Sequence, residues 1–302
     1  MHDHNHHHNN NEQFNYSKAF GIGISLNVLY VVIEFWYGFI INSMALISDA
    51  GHNLSDVLGL VIAWGAVYIA KSSSNSKRTY GLKKSTIFAA LVNSIILLFA
   101  LGAITYESIL RLSAPKIIYG NTMIVVASIG VVINFVTALL FVSGKKNDLN
   151  IKSSFLHMIA DAGVSFGVVV AAIIINITNW YILDPIISLV IVVLIAFGTF
   201  NLLKDSFNLL MDSVPVGVDL DGLKELILSN TNVTAVHDLH VWALSTTENA
   251  LTVHVVVKDK IDTNLMIEKI FKDINNHYGI AHSTIQIEML TESFDCNLKN
   301  KC

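Results

Sequence analysis

SDAGHNLSDVLG, residues 48–59, interrupts a run that otherwise reads as a bilayer-crossing helix, with INSMALI before it and LVIAWGAVYIA after it. Asp49, His52 and Asp56 stand in the middle of that run. On insertion scales an Asp at the centre of a membrane helix costs about 2.5–3.5 kcal/mol, so these residues need partners from elsewhere in the chain. At i, i+3 and i+7 the three share one helical face, which tells us where to look for those partners.

A second apolar run carries FLHMIADAG, residues 155–163, with His157 and Asp161 at the same i, i+4 spacing as His52 and Asp56. Two helices thus each present a His-x-x-x-Asp edge. If the two helices run in opposite directions side by side, His52 comes level with Asp161 and Asp56 with His157. Two imidazole nitrogens and two carboxylate oxygens then close a tetrahedron around one divalent ion. Two carboxylates neutralise its +2 charge, which makes the loaded site tolerable in a low dielectric. Depth sets a condition. At about 1.5 Å per residue Asp56 lies roughly 20 Å from Lys71 and Asp161 about 14 Å from Lys152. The edges meet only if one helix overhangs the membrane or the other starts inside it. Buried hydrogen bonding that fixes helix packing is the competing account; it explains a lone membrane histidine well and two matching edges poorly.

The composition agrees with a membrane setting. The chain has 302 residues, of which 53% are hydrophobic and 14% charged, and its mean hydropathy is +0.57. The formal net charge of −4 leaves no basic excess of the kind that nucleic acid selects. Apolar stretches at 17–41, 44–70, 85–112, 117–142, 154–178 and 181–203 each offer the roughly 20 residues that a spanning helix needs. Lys18, Lys71, Lys77, Arg78, Lys83, Lys84, Lys145, Lys146, Lys152 and Lys204 flank these stretches on one side, against Arg111 and Lys116 on the other. By the positive-inside rule both termini are cytoplasmic. MHDHNHHHNNNEQ has no basic segment leading into a short apolar core, so no cleaved signal peptide is expected.

Beyond Lys204 the pattern changes. A helix is expected near 220–229, β-rich runs at VTAVHDLHVWAL and ALTVHVVVK, a helix carrying Leu265, Ile267, Ile270, Phe271 and Ile274 at helical spacing, and a final strand at STIQIEML. The fold expected is an α-helical membrane protein with six transmembrane helices, plus a cytoplasmic α+β domain (αββαβ, ferredoxin-like) at the C-terminus. Its divisions are a His-rich cytoplasmic tail at 1–16, a six-helix domain at 17–204, and a cytoplasmic metal-binding and dimerisation domain at 205–302.

His237 and His254 fall on two runs read as neighbouring strands, His282 opens the last strand, Glu288 lies along it, and Cys296 follows. Imidazoles, a carboxylate and a thiolate at one edge make a credible zinc site. Cys296 and Cys302 are the only cysteines, and they read as reduced thiols or ligands rather than a disulfide framework. His240 and His277 read as structural or solvated. His2, His4, His6, His7 and His8 read as a weak metal-collecting tail. Inside the membrane Asp49 is expected as an outer acceptor for His52 or as a packing group. Glu34, Asn93 and Asn134 read as path-lining or interhelical hydrogen bonders, and Asp184, before Pro185, as a cap of the last membrane helix.

SDAGHNLSDVLG, LHMIADAG, RTYGLKKSTIFAALVN, LDPIIS and VHDLHVW together resemble the cation diffusion facilitator family, specifically its zinc-type members, and the resemblance covers essentially the whole chain. It implies that His52, Asp56, His157 and Asp161 form a transport site, and that His237, His254, His282, Glu288 and Cys296 bind cytoplasmic metal. It further implies a homodimer in a bacterial inner (plasma) membrane that exchanges cytoplasmic metal for external protons. One departure is visible: Lys84-Ser85-Thr86 stands where family members often have Arg-x-Glu.

Zinc is the metal that this ligand set suits, with cadmium and cobalt tolerated, whereas an all-oxygen site would suit manganese or magnesium. Histidine suits proton exchange, because its unperturbed pKa of about 6.5 lets it lose metal as it gains a proton. An intramembrane metallopeptidase is disfavoured: there is no His-Glu-x-x-His, and four protein ligands leave no open position for an activated water. A membrane metal sensor that signals through the αββαβ region without transport is the alternative. The expected partners are divalent metal ions, protons and the lipid bilayer, with no enzymatic activity.

Overall fold

A computed structural model describes residues 16–70, 74–141, 149–258 and 262–289. Six long helices come first: α1 (Tyr16–Ile40), α2 (Met44–Ala70), α3 (Ser85–Ser113), α4 (Gly120–Phe141), α5 (Leu149–Thr178) and α6 (Leu183–Leu210). Then follow α7 (Leu220–Leu228), β1 (Val233–Ala243), β2 (Asn249–Val257), α8 (Thr263–Tyr278) and β3 (His282–Met289). Among the described residues, Ser85–Ser113, Gly120–Leu139, Met158–Thr178 and Leu183–Leu210 are long and apolar enough to cross a membrane. Helix α5 starts five residues before its apolar stretch and α6 runs seven past its own, because helical hydrogen bonding continues where the apolar run has stopped. The chain divides into two compact units, Met1–Gly59 with Ile96–Thr199, and Leu60–Ile95 with Phe200–Cys302.

The first unit is a helical bundle. Its core gathers Leu46 of α2, Met123 and Val126 of α4, Val168, Ala172 and Ile175 of α5, and Ile191 of α6. Small residues let backbones approach. A Cβ built on Gly130 of α4 would lie 2.1 Å from the Tyr30 hydroxyl of α1. That hydroxyl donates to Glu34 Oε1 at 2.7 Å, inside a wholly buried pocket. Asn53 Nδ2 donates to the other Glu34 oxygen at 3.4 Å.

Asp184 departs from its expected role. Although it lies in the first turn of α6, its carboxylate caps α2 instead. It accepts from Ser43 Oγ at 2.6 Å, Met44 N at 2.6 Å and Ala45 N at 3.1 Å. The first N–H groups of a helix have no intrahelical acceptor, and in a buried setting a carboxylate from a neighbouring helix is the strongest available substitute. Sequence spacing assigns a cap to its own helix; the packing here assigns it to another. Arg111 of α3 donates to the Asn42 carbonyl just before α2 and closes the same corner.

In the second unit α7 and α8 lie on a three-stranded sheet of order β1-β2-β3. Strand β2 pairs antiparallel with β1 and parallel with β3. Leu223 and Ile227 of α7 and Ile270 and Ile274 of α8 bury against Leu251, Val253 and Val255 of β2. Leu265, expected on that apolar stripe, is 64% exposed. Asp219 caps α7 and Asp262 caps α8, each by accepting an N–H two residues on. Gly279 ends α8 with φ of 67°, a left-handed conformation that glycine adopts without penalty.

The Lys84-Ser85-Thr86 segment is held by other means than an Arg-x-Glu pair. Lys84 Nζ meets Asp212 Oδ1 at 2.7 Å, and Lys83 pairs with Glu248 in the β1–β2 turn. Thr86 Oγ1 accepts the Thr246 N–H at 3.1 Å. At the position of the missing Glu, a neutral hydroxyl meets a backbone donor.

Candidate metal centres

The first centre lies in the helical unit. Helix α2 presents His52 and α5 presents Asp161, with His52 Nε2 3.2 Å from Asp161 Oδ1. The Asp161 side chain is 3% exposed and that of His52 18%. An imidazole nitrogen and a carboxylate oxygen at this separation, from two different helices, can share one cation. Asp56 and His157 lie on the same two helices, one turn along from His52 and Asp161, and their side chains lie outside the described atoms.

The helical unit holds further buried polar groups. Asp49 Oδ2 accepts from Ser165 Oγ of α5 at 2.8 Å, which cross-links the two helices one turn away from His52. Ser48 of α2 and Ser108 of α3 both meet Ser188 of α6, at 2.5 and 2.8 Å. Asn134 and Thr137 sit one turn apart on α4, buried and without hydrogen-bond partners among the described residues. Ser165 and Tyr30 carry no signal of these contacts in the sequence, because a serine or tyrosine in an apolar helix is unremarkable until its neighbour is known.

The second centre lies on the sheet of the C-terminal unit. His237 and His254 face each other across the β1–β2 register, and Glu288 comes from β3. One ligand atom from each lies within 4.8 Å of the other two. Glu288 Oε2 is 3.0 Å from His237 Nε2, and Glu288 Oε1 is 2.9 Å from His254 Nδ1. Two imidazoles and one carboxylate, with Glu288 only 5% exposed, make a three-donor set suited to a borderline divalent ion.

His282 falls outside this group. In the β2–β3 register it pairs with Ala250, four residues from His254, and at about 3.3 Å per residue that is roughly 13 Å along the strand. Its ring meets Tyr80 edge-on, with centroids 5.3 Å apart. Cys296, Cys302 and the histidines of the N-terminal tail lie outside the described residues. His277 Nδ1 meets the Asp273 carbonyl oxygen one helical turn back, a structural role.

Asp238 was not singled out by spacing, and it belongs to the second centre. Its Oδ1 is 2.9 Å from His240 Nε2 and its Oδ2 3.4 Å from His254 Nε2. In a regular strand His237 and Asp238 would point to opposite faces. Here the register shifts between His237 and His240, and Asp238 adopts φ of 51°. The HDLH sequence contains the signal, but only the bulge turns the Asp towards the histidines.

Residues 21–211 match the cation efflux transmembrane domain, and residues 215–290 match the cation efflux protein, cytoplasmic domain. The chain is 36% identical to the cadmium, cobalt and zinc/H(+)-K(+) antiporter of Bacillus subtilis, over 88% of this chain and 87% of that one. It is 36% identical to the metal cation efflux system protein CzcD of Cupriavidus metallidurans, over 90% and 86%. To the zinc transporter ZitB of Escherichia coli it is 32% identical, over 95% and 91%.

Proposed function

Because the chain belongs to the cation efflux family, as a zinc-type cation diffusion facilitator, we propose that it moves zinc out of the cytoplasm in exchange for protons through a site made by His52, Asp56, His157 and Asp161. It is an integral membrane metal-efflux transporter with a separate cytoplasmic domain. The observation that carries the site is the 3.2 Å approach of His52 Nε2 to Asp161 Oδ1, a histidine of α2 and an aspartate of α5 brought together from two different helices. All six long helices span the membrane in this reading, at 17–204, with both termini in the cytoplasm. The region 205–302 is an αββαβ sandwich of ferredoxin-like type without its first strand, and it joins two copies into a homodimer.

The ligand chemistry supports the direction of transport. Two imidazoles and two carboxylates hold Zn²⁺ tetrahedrally, and cadmium or cobalt can replace it. Protonation of an imidazole removes its lone pair, so acid on the release side favours loss of metal. Acid on the loading side opposes binding for the same reason. An inward proton gradient therefore drives zinc outward. In the cytoplasmic domain His237, His254 and Glu288 fit zinc as a bound ion, with Cys296 as a further ligand.

Purified protein in vesicles with a zinc-sensitive dye inside and an imposed pH gradient tests both the class and the site. Zinc accumulation that follows the gradient is expected, falling at least tenfold in His52→Ala and in Asp161→Ala. Flux that survived both substitutions would remove these residues from the transport site, whereas zinc binding with no flux in the parent would favour a sensor.

A further inference from the structure

We propose that Asp238 is the positioning residue of the cytoplasmic zinc site: it accepts the Nε2–H of His254, so that His254 Nδ1 is left as the metal-binding lone pair. The inference rests on the reading of His237, His254 and Glu288 as a zinc site. Its content is that a residue outside the ligand set decides which nitrogen of His254 binds.

The geometry places the two nitrogens of His254 on different carboxylates. Nδ1 lies 2.9 Å from Glu288 Oε1, on the side that His237 Nε2 also faces through Glu288 Oε2. Nε2 lies on the other side of the ring, 3.4 Å from Asp238 Oδ2. One ion cannot take both nitrogens of one imidazole, so only the Nδ1 side can gather His237, His254 and Glu288. A neutral imidazole carries one proton, and it must sit on Nε2 if Nδ1 is to ligate. With Nδ1 as the ligating nitrogen, the ring proton would sit on Nε2, on the side where Asp238 Oδ2 lies 3.4 Å away. Carboxylates that hold the distal N–H of a ligating histidine work in this way.

The fold builds the acceptor deliberately. The extra residue in β1 between His237 and His240 and the left-handed backbone at Asp238 turn its side chain to the histidine side of the sheet. Aspartate tolerates that backbone better than most residues. His240 Nε2, 2.9 Å from Asp238 Oδ1, holds the second oxygen and fixes the carboxylate plane. Gln286 Nε2 donates to Glu288 Oε1 at 3.1 Å and orients the other carboxylate similarly.

The test uses the full chain in detergent, carrying His52→Ala and Asp161→Ala so that zinc at the transport site does not obscure the readout. Asp238→Gly keeps the backbone permissive and removes the carboxylate, and Asp238→Asn keeps both the backbone tolerance and an acceptor oxygen. Chelator competition gives zinc affinity and count, and Co²⁺ absorption reports the inner ligands. Asp238→Gly should weaken zinc binding about 10–100-fold, with the number of ions and the tetrahedral cobalt spectrum unchanged, and Asp238→Asn should recover most of the loss. An affinity within twofold of the parent in Asp238→Gly would overturn the proposal. So would the loss of one bound ion or an altered cobalt spectrum, since Asp238 would then be a ligand itself. If the parent's zinc binding does not respond to His237→Ala, the zinc-site reading fails, and the role of Asp238 fails with it.

Discussion

Gly130 leaves no room for even a methyl group. The built Cβ would lie 2.1 Å from the Tyr30 hydroxyl and 2.5 Å from its ring carbon Cζ, and a rigid ring cannot swing clear in a buried pocket. Gly130→Ala should therefore destabilise the protein by about 1–3 kcal/mol, the usual cost of overpacking, read as a lower melting temperature in detergent. Tyr30→Phe removes the nearest clashing atom, so the double variant should lose less than the sum of the two single losses. Equal additivity would show that the two side chains do not meet. At this scale the sequence displays the glycine and the tyrosine as ordinary residues of apolar runs. Their contact crosses from α1 to α4, and no spacing rule reaches that far.

Among the helices, the decisive feature is an end rather than a length. The N-terminus of α2 is satisfied by Asp184, which is far away in sequence and lies in the first turn of α6. Asp184→Ala leaves three buried donors without their acceptor. A loss of about 1–3 kcal/mol is expected, with Asp184→Asn costing less because one acceptor oxygen remains. Equal melting temperatures for Asp184→Ala and the parent would show that the cap does not hold α2. Since α2 carries His52 and Asp56, the same variant should also reduce zinc flux in vesicles. Helix periodicity and strand alternation were readable at this scale. The αββαβ order came from them directly, because a helix with Ile270 and Ile274 in register and strands such as HSTIQIEM obey local periods of 3.6 and 2. The helix ends were less readable: α5 and α6 both extend beyond their apolar stretches, since hydropathy records the environment whereas hydrogen bonding records the helix.

For the whole molecule, the proposed transport site lies on the membrane helices and not in the histidine-rich tail. Deleting residues 2–8 should leave zinc flux within about twofold of the parent, on the argument that a weak histidine cluster adds little to a four-ligand site. A loss approaching that of His52→Ala would make the tail part of the route. The sequence by itself determined the membrane character, the pair of His-x-x-x-Asp edges, the cytoplasmic α+β region and the family, because each is written in composition, local period or a short motif. Only the tertiary structure decided that Asp184 caps α2, that His282 lies beside Ala250 and Tyr80 rather than with His237, and that Asp238 faces His254. Each of those depends on strand register, a bulge or the packing of distant helices. Such contacts form between residues far apart in the chain, so local sequence patterns cannot encode them.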